Sequence, residues 1–503
     1  MIPQSLSSPQ QWLHEQHQYP YWFIPIAIVT SCFFLFLFYK SSLSSKKKLN
    51  HPPCPLILPL VGNLHQLGSL PHRSLHALSQ KHGPLMLLHL GKVPAIIISS
   101  AELAQEIMKT HDLIFSSRPF SSMANSLLYN SLDISFAPYG EYWRQVRRIS
   151  VIHLLSLKRV ESFKSIREEE VSLMLDKIHA SQGLLVNFSE ILVAVTNGVV
   201  CRVALGRKYD RSNRFHDMLT EFLALLGSFP LKDFIPWFGW VDRITGLDAR
   251  VVNNSKEMDG FFEEVLEEHI HSKTSETSNL VDILLSLDVS LSKESIKAII
   301  LDMFSAGTDT TFTVLEWTMA ELMRNPEVIE KVQEEIEGVV KGKAKVSEED
   351  IDEMSYLKAV IKEVLRLHPP IPLLVPREST EYVKLHGFDI PEKTRVVINA
   401  WAIGRDPKSW ERPEEFMPER FLNSEVDFKG QHFEFIPFGA GRRGCPGIMF
   451  AISTIELAAA ALLHHFDWKL PDGMRTEELD MSESSGLTVH KKTSLLVQAT
   501  PRF

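Results

Sequence analysis

The sequence predicts a mainly α-helical fold with a small β subdomain, preceded by one apolar N-terminal transmembrane helix. Three observations predict it. Apolar residues recur at helical spacing through most of the chain. Strand-like runs gather in two or three small sets with no regular βαβ alternation. Residues 19–39 form a long uncharged apolar stretch. The 503 residues are 44% hydrophobic and 23% charged, ordinary for a globular body large enough to bury a substantial core. A net charge of −9, with no basic stripe carrying interleaved aromatics, argues against a nucleic-acid partner.

The apolar run from Tyr19 to Tyr39 matches the ~20 residues a helix needs to cross a bilayer. No Lys or Arg precedes it, whereas Lys40, Lys46, Lys47 and Lys48 follow. The positive-inside rule then puts the N-terminus in the lumen and the remaining chain in the cytosol. A cleaved signal peptide, the competing reading, would carry a positive n-region that is missing here. The expected organisation is residues 1–40 as luminal N-terminus and transmembrane signal anchor, 41–62 as a basic, proline-rich hinge, and 63–503 as one large domain. His51-Pro52-Pro53-Cys54-Pro55 and Pro59 stiffen the hinge, since proline locks φ. Asn187-Phe188-Ser189 and Asn253-Asn254-Ser255 match the glycosylation acceptor pattern, but in a cytosolic body they stay unmodified.

Within the body, Leu85 to Leu90 and Pro94 to Ser99 flank Gly91-Lys92 and read as a β-hairpin. Tyr382 to Asn399 is a second strand region, turning at Gly387 and Pro391-Glu392. Between them, Phe229, Phe234, Ile235, Trp237, Phe238 and Trp240 suit either core packing or a loop at a membrane interface. Lys273 to Asn279 reads as a polar loop.

Four cysteines, Cys32, Cys54, Cys201 and Cys445, are too few and too scattered for a disulfide framework or a zinc site. Cys445 stands apart. It sits in Phe438-Gly439-Ala440-Gly441-Arg442-Arg443-Gly444-Cys445-Pro446-Gly447, just before an apolar helix beginning near Ile448. Glycines let backbone pass close to a flat ligand and let amides point at a sulfur anion. A helix N-terminus and arginine charge favour the thiolate. A thiolate on haem iron favours O–O cleavage. A reactive or buried cysteine without a metal is one competing reading. A dinucleotide loop spelled by Gly439, Gly441 and Gly444, with Asp467 downstream, is another. Too little chain follows Asp467 for the further parallel strands that a dinucleotide fold requires.

Glu294 to Arg324 carries a long helical pattern stopped by Asn325-Pro326. Ala306-Gly307-Thr308-Asp309-Thr310-Thr311 lies in its middle. A mid-helix glycine costs about 1 kcal/mol relative to alanine, so Gly307 points to a close approach to the backbone. Asp309 and Thr310 suit either plain helix decoration or proton handling. Glu363 and Arg366 are one helical turn apart before His368-Pro369-Pro370, with Arg420 downstream in Pro418-Glu419-Arg420-Phe421. Alone they read as a surface pair. Trp143 and Arg147 sit on one helix with Arg144 and Arg148, which by itself reads as a basic surface helix, and Arg377 follows Pro376. Guanidinium groups suit carboxylates.

Together these segments resemble the cytochrome P450 superfamily across nearly the whole chain, and most of all the plant microsomal A-type enzymes. The cysteine loop matches the haem signature F-x-x-G-x-R-x-C-x-G at every fixed position, and Ala306 to Thr311 matches [AG]-G-x-[DE]-T-[TS]. Phe136-Ala137-Pro138-Tyr139-Gly140 adds to the likeness, while Cys54 departs from it, standing where the P-P-G-P hinge has glycine. The resemblance implies the cytochrome P450 fold, with residues 63–503 the haem-thiolate catalytic domain. It places haem b between the Asp309 helix and the Cys445 loop, with Cys445 as axial ligand. It puts Trp143, Arg147, Arg377 and Arg443 at the propionates, and Phe438, Ala306 and Gly307 against the cofactor. Thr310 and Asp309 become the alcohol and acid of oxygen activation. Glu363, Arg366 and Arg420 become a buried structural lock.

The implied reaction inserts one oxygen atom from O2 into a small lipophilic plant metabolite of terpenoid, phenylpropanoid, coumarin or indole type. Electrons come from NADPH through a separate cytochrome P450 reductase, since the chain has no flavin or nicotinamide module. The implied location is the endoplasmic reticulum membrane. By the same resemblance the substrate chamber is roofed by Asp302, Ser305 and Ala306. Its walls are residues 116–133, Ile371 to Leu374, including Leu373, and Ser485 to Thr488, including Leu487. Two alternatives stay open at this point: a haem-thiolate dehydratase or isomerase of an oxime-like substrate, and a haem-binding sensor without turnover.

Overall fold

A computed structural model of the chain describes residues 23–42, 49–181, 183–208, 214–271, 279–287 and 291–502. Lys46, Lys47, Lys48 and most of the polar stretch after Lys273 fall outside them. The chain divides into two compact units, residues 1–50 and 51–503. In the first, the apolar run forms helix α1, Phe23–Ser42. Ile24, Val29, Phe33 and Phe34 on it are exposed.

In the second unit, part of the predicted hinge is not a free arm. The Leu87 amide donates to Pro53 O at 2.8 Å and the Gly91 amide to Val61 O at 3.1 Å. Asn63 Nδ2 donates to Leu56 O at 3.1 Å. Hydrogen bonding to the first hairpin thus ties residues 53–63 to the body.

The predicted hairpin is β1, Leu85–Leu90, paired antiparallel with β2, Val93–Ile98, in the register Leu85↔Ile98 to Leu90↔Val93. Its turn needs Gly91, whose φ is +59° and whose Cβ would lie 2.3 Å from Phe234 O. Both faces are covered, which is why these strands are almost continuously apolar. Met86, Leu88 and Ile97 pack with Leu75 and Phe234. Leu87, Ile96 and Ile98 pack with Ile107, Phe115 and Phe433. The region after Tyr382 proves to be three strands. Val383–Leu385 and Phe388–Ile390 form a hairpin about Gly387. The third strand, Arg395–Ile398, joins β2 in parallel. With β3 as Arg377–Glu378 and β4 as Arg395–Ile398, the main sheet has the order β1-β2-β4-β3.

Helices make up the rest. The longest described helix in the body runs Lys293–Arg324, 32 residues, capped by the Ser292 side chain accepting from the Ser295 amide. In chain order we label Glu141–Ile149 α2, Phe188–Leu205 α3, Lys293–Arg324 α4, Ser355–Leu367 α5 and Ile448–His465 α6. The first part of α4, Ile296 to Phe304, packs with α3 in one core. Its second part, Phe312 to Met323, packs with α5 and α6 in another. The stretch Ser305 to Thr311 lies where α4 passes between the two cores, and there the packing leaves space.

The pair Glu363 and Arg366 on α5 is no surface pair: the two are 0% and 1% exposed. Arg366 forks onto the carboxylate at 2.7 and 2.8 Å. Arg420 Nε donates to the same group at 3.0 Å, and so does the Met417 amide at 2.8 Å. Arg366 also donates to Gly404 O at 2.6 Å and Pro413 O at 2.7 Å. One carboxylate therefore holds two buried cations and the chain that leads toward the cysteine loop. Removing one member of a buried ion cluster strands the others, at a cost of about 3–5 kcal/mol. Glu363→Ala is expected to lower the stability of the purified protein by about that much in denaturant unfolding. A loss below about 1 kcal/mol would mean that the cluster holds nothing together.

Candidate active site

The cysteine loop is bent by Gly439 at φ +67° and Gly441 at φ +68°. A Cβ on Gly441 would stand 2.2 Å from Met108 O, so the loop presses directly on that backbone. The Cys445 amide donates to Phe438 O at 2.9 Å, closing the turn. The Gly447 amide points at Cys445 Sγ at 3.3 Å. Burial pushes the Cys445 thiol up, and the Gly447 amide and Arg147 charge only partly offset this. The loop's arginines and helix end alone therefore do not deliver a free thiolate. A metal that binds the sulfur displaces its proton outright.

Asp112 fastens the loop to the body. It accepts from the Arg442 amide at 3.2 Å and pairs with Arg442 Nε at 3.1 Å. It also takes Arg377 Nη1 at 3.5 Å. Arg377 donates to Ala440 O at 2.7 Å. Arg147 donates to Gly444 O at 2.7 Å. Arg443 donates to Ser116 O at 2.7 Å and Ala137 O at 2.7 Å, and lies 4.0 Å over the Trp143 ring. Trp143 in turn donates to Ile134 O at 3.0 Å.

Ala306, Gly307 and Thr310 on α4 line a cavity of about 220 Å³ together with Phe438 and Cys445. Arg118, Arg147, Arg377, Arg443 and Trp143 also line it. A Cβ on Gly307 would come 3.0 Å from Val200 Cγ2 and 3.7 Å from Phe450. The close approach implied by this glycine is thus that of side chains from α3 and α6, beside the open space. Thr310 Oγ1 bonds Ala306 O at 2.5 Å, one turn back, and lines the cavity. Asp309 does not line it. Burial raises its carboxyl, offset only in part by Thr488 and His490. All the residues predicted for the cofactor therefore meet at one cavity, while Asp309 turns away from Thr310.

Of the residues expected around the substrate chamber, Asp302, Ala306, Ile371 and Leu374 line this cavity. Leu373 instead packs beneath the β1–β2 sheet, and Leu487 lies against Gly227. Most of the lining is apolar, including Ile134, Val200, Met303, Ile371 and Phe450.

Two features have no motif in the sequence. Arg118 is buried and donates to Ser135 O and Val375 O, each at 2.7 Å, and to Pro376 O at 2.9 Å. Four cavity guanidinium groups thus bond mainly to carbonyls, with Asp112 facing one of them. Burial lowers Arg443 to about 9 and Arg377 to about 10, with each other's charge adding for Arg443. It pushes Arg118 well down too. A haem fits the donor set: one cavity lined by a sulfur and by cations suited to two propionates.

The second feature is a pair of buried carboxyls, Asp302 on α4 and Asp133. Asp302 accepts from the Ile134 amide at 2.5 Å and the Ser135 hydroxyl at 2.9 Å. Asp133 accepts from the Phe136 amide at 2.7 Å. Burial raises Asp133 strongly, with Asp302 adding to it, and burial raises Asp302 from 3.8 to about 6. Because the folded value lies above the unfolded one, the stability that Asp302 contributes is complete below pH 3.8 and lost as pH rises through about 6. Asp302→Asn keeps an acceptor for the Ile134 amide and removes the charge. Its melting temperature relative to the parent is expected to climb as pH passes about 6. Melting curves in which the difference is independent of pH would contradict the raised value.

Comparison with known proteins agrees with this geometry. The sequence model of a family described as "Cytochrome P450" matches residues 52–497. The chain is 56% identical to "Cytochrome P450 71A1" of Persea americana over 87% of this chain and 91% of that one. It is 50% identical to "Cytochrome P450 736A117" of Prunus mume over 99% and 100% of the two. A third relative, 49% identical over 92% and 95%, is the "Norfluorocurarine oxidase" of a Strychnos species. Among solved structures, a zebrafish cytochrome P450 with abiraterone superposes with a TM-score of 0.73 at 27% identity, covering 86% of this chain and 99% of that one.

Proposed function

The chain belongs to the cytochrome P450 family and is a haem-thiolate monooxygenase; from that premise we propose that Cys445 is the thiolate and that the substrate is a small lipophilic plant metabolite. The observation that carries the first assignment is the cavity itself, with Cys445 on one wall and buried cations around it. Arg118, Arg147, Arg377 and Arg443 are the propionate partners, with Trp143 stacked under Arg443 and fixing its plane. Phe438, Ala306 and Gly307 line the same cavity.

When bound, haem b supplies the activation of O2 for transfer of one oxygen atom. The chain's own part is to position and to supply protons. Thr310 presents its hydroxyl to the cavity, held by Ala306 O. Asp309, one residue earlier, holds the proton reserve outside the apolar chamber. Apolar lining excludes water and selects substrates by burial, which favours terpenoid, phenylpropanoid, coumarin or indole skeletons. Electrons come from NADPH through a separate cytochrome P450 reductase.

We also propose residues 1–40 as a single-pass anchor in the endoplasmic reticulum membrane, residues 63–503 as a cytosolic catalytic domain, and the segment between as the link. The 20-residue apolar α1 supports the anchor. Trp237, Phe238, Ile244, Leu56 and Leu60 are exposed, and Trp240 is 57% exposed, whereas Phe234 and Ile235 are buried. The aromatic cluster thus divides between core and surface. Backbone bonds through Gly91 and Lys92 join the two exposed segments. Such a surface suits a lipid interface.

The freshly prepared ferrous protein with carbon monoxide should show the Soret band of a thiolate-ligated haem, and Cys445→His should convert it to the globin type. A globin-type band in the parent protein would remove Cys445 from the iron. Binding difference spectra across terpenoids, coumarins and indoles then identify the substrate class. Turnover under strict anaerobiosis would instead make the enzyme a dehydratase or isomerase.

A further inference from the structure

The exposed aromatic surface carries charge as well as apolar area. Leu231–Phe234 and Gly239–Ile244 are short helices joined through the tight turn Pro236–Phe238, and a longer helix starts at Leu247. Lys232, Trp237, Trp240, Arg243 and Asp248 from these elements line a cleft of about 480 Å³. It shares no lining residue with the cavity at Cys445. A Cβ on Gly239 would stand 3.0 Å from Lys232 Cβ, so the glycine lets the tryptophan turn lie against the lysine stem.

The cations at this cleft outnumber its acids. Lys232 Nζ donates to Asp248 Oδ1 at 2.7 Å. Arg243 meets the same carboxylate only at 3.9 Å, with its side chain 81% exposed. A single contact at that distance leaves the guanidinium fork open to solvent. Lys92 lies 3.9 Å over the Trp237 ring, and its amide donates to Phe234 O at 2.9 Å. The other acids of the stretch are engaged elsewhere. Asp242 is buried and accepts from the Leu231 and Lys232 amides at 3.0 and 2.9 Å. Asp233 accepts from the Ser122 amide at 2.9 Å. Lys92, Lys232 and Arg243 therefore face one carboxylate, that of Asp248, among these residues. Exposed Phe238 and Ile244 adjoin the same turn.

We propose that this cleft binds the phosphate of an anionic phospholipid headgroup, gripped by Arg243 with Lys232 and Lys92 as flanking charges. The proposal rests on the membrane-surface reading above and names the lipid class that this surface takes. A guanidinium matches phosphate oxygens two at a time, while an ammonium acts as a point charge. Tryptophan favours the depth at which lipid phosphates lie, so one insertion depth satisfies both Trp240 and Arg243. Basic side chains beside a bilayer are drawn to anionic lipid. The occupant is a lipid and not a soluble anion because a free phosphate leaves Trp237, Phe238 and Ile244 in water. The acyl chains attached to a headgroup cover them.

Full-length holoenzyme in lipid nanodiscs tests this, with amide hydrogen exchange of residues 236–248 as the readout. Exchange should be several-fold slower in discs enriched in phosphatidic acid than in discs of phosphatidylcholine alone. Added salt should shrink that difference, since the attraction is between exposed charges. The double variant Lys232→Gln, Arg243→Gln should abolish it, and Arg243→Lys should keep part of it. All these variants should retain the thiolate-type carbon monoxide band, because none of the residues lines the haem cavity. Should the double variant lose that band, Arg243→Gln alone, at an exposed side chain, takes its place. Equal exchange in the two kinds of disc, or a difference that survives removal of the cations, would overturn the headgroup site. Protection by inorganic phosphate in phosphatidylcholine discs would overturn the lipid in favour of a soluble anion. The membrane surface itself is judged separately, by quenching of tryptophan fluorescence with brominated acyl chains. Quenching that Trp237→Phe and Trp240→Phe leave unchanged would remove that surface, and the headgroup site with it.

Discussion

Four guanidinium groups around one cavity, three of them buried and Arg147 half-buried, with Asp112 as the carboxylate that pairs with one of them, set the central constraint on this protein. Burying cations without counterions is expensive, and the chain meets that cost only in part, with backbone carbonyls. Arg118, Arg147, Arg377 and Arg443 draw those carbonyls from segments far apart in sequence: residues 116, 134–137, 375–376, 440 and 444. The loop that holds Cys445 is thereby tied to the same groups that await an anion. A bound dianionic cofactor and a correctly placed sulfur are then two consequences of one charge arrangement. Ligand that binds the folded state alone stabilises it by mass action, so folding and cofactor retention are coupled.

The long helix α4 divides its labour by face. Its ends belong to two different apolar cores, and between them Ala306, Gly307 and Thr310 line the cavity. There, successive residues face different surroundings because each step turns the helix by about 100°. Thr310 meets the cavity, and Asp309 meets the C-terminal segment. An acid placed directly in the apolar chamber would have to be desolvated against the substrate. Placed outside, it keeps polar partners and still lies one residue from the hydroxyl.

Much of this was legible in the sequence because it is written in contiguous motifs. The Cys445 loop, the Thr310 helix and the Glu363–Arg366 turn each carry their residues within a few positions; Cys445 and Thr310 line one cavity, and Glu363 and Arg366 are buried together. The hairpin at Gly91 was legible for the same reason. What could not be read depends on distant segments meeting. Arg118 sits in an unremarked stretch, and only the fold brings it to Val375 and Pro376. Asp112 looks like any surface acid until it is seen holding Arg442 and Arg377 together. Prolines announced stiffness in the hinge, but not that the Pro53 carbonyl would accept from Leu87 in the first strand. Gly307 signalled a close approach correctly, yet the approaching group was Val200 of the neighbouring helix.

The sulfur shows why a local motif is not a complete account of its chemistry. The Gly447 amide and the Arg147 charge act to ionise Cys445. Burial acts against them and prevails, which is a property of the folded chamber and not of the loop. The folded chamber therefore leaves the thiol raised from its ordinary value. A metal bound by this sulfur would displace its proton, so acid would oppose ligation and alkali favour it. The same apolar chamber that raises the thiol also excludes water from the reaction and makes the few polar groups that remain, Thr310 foremost, count for more than they would in solvent.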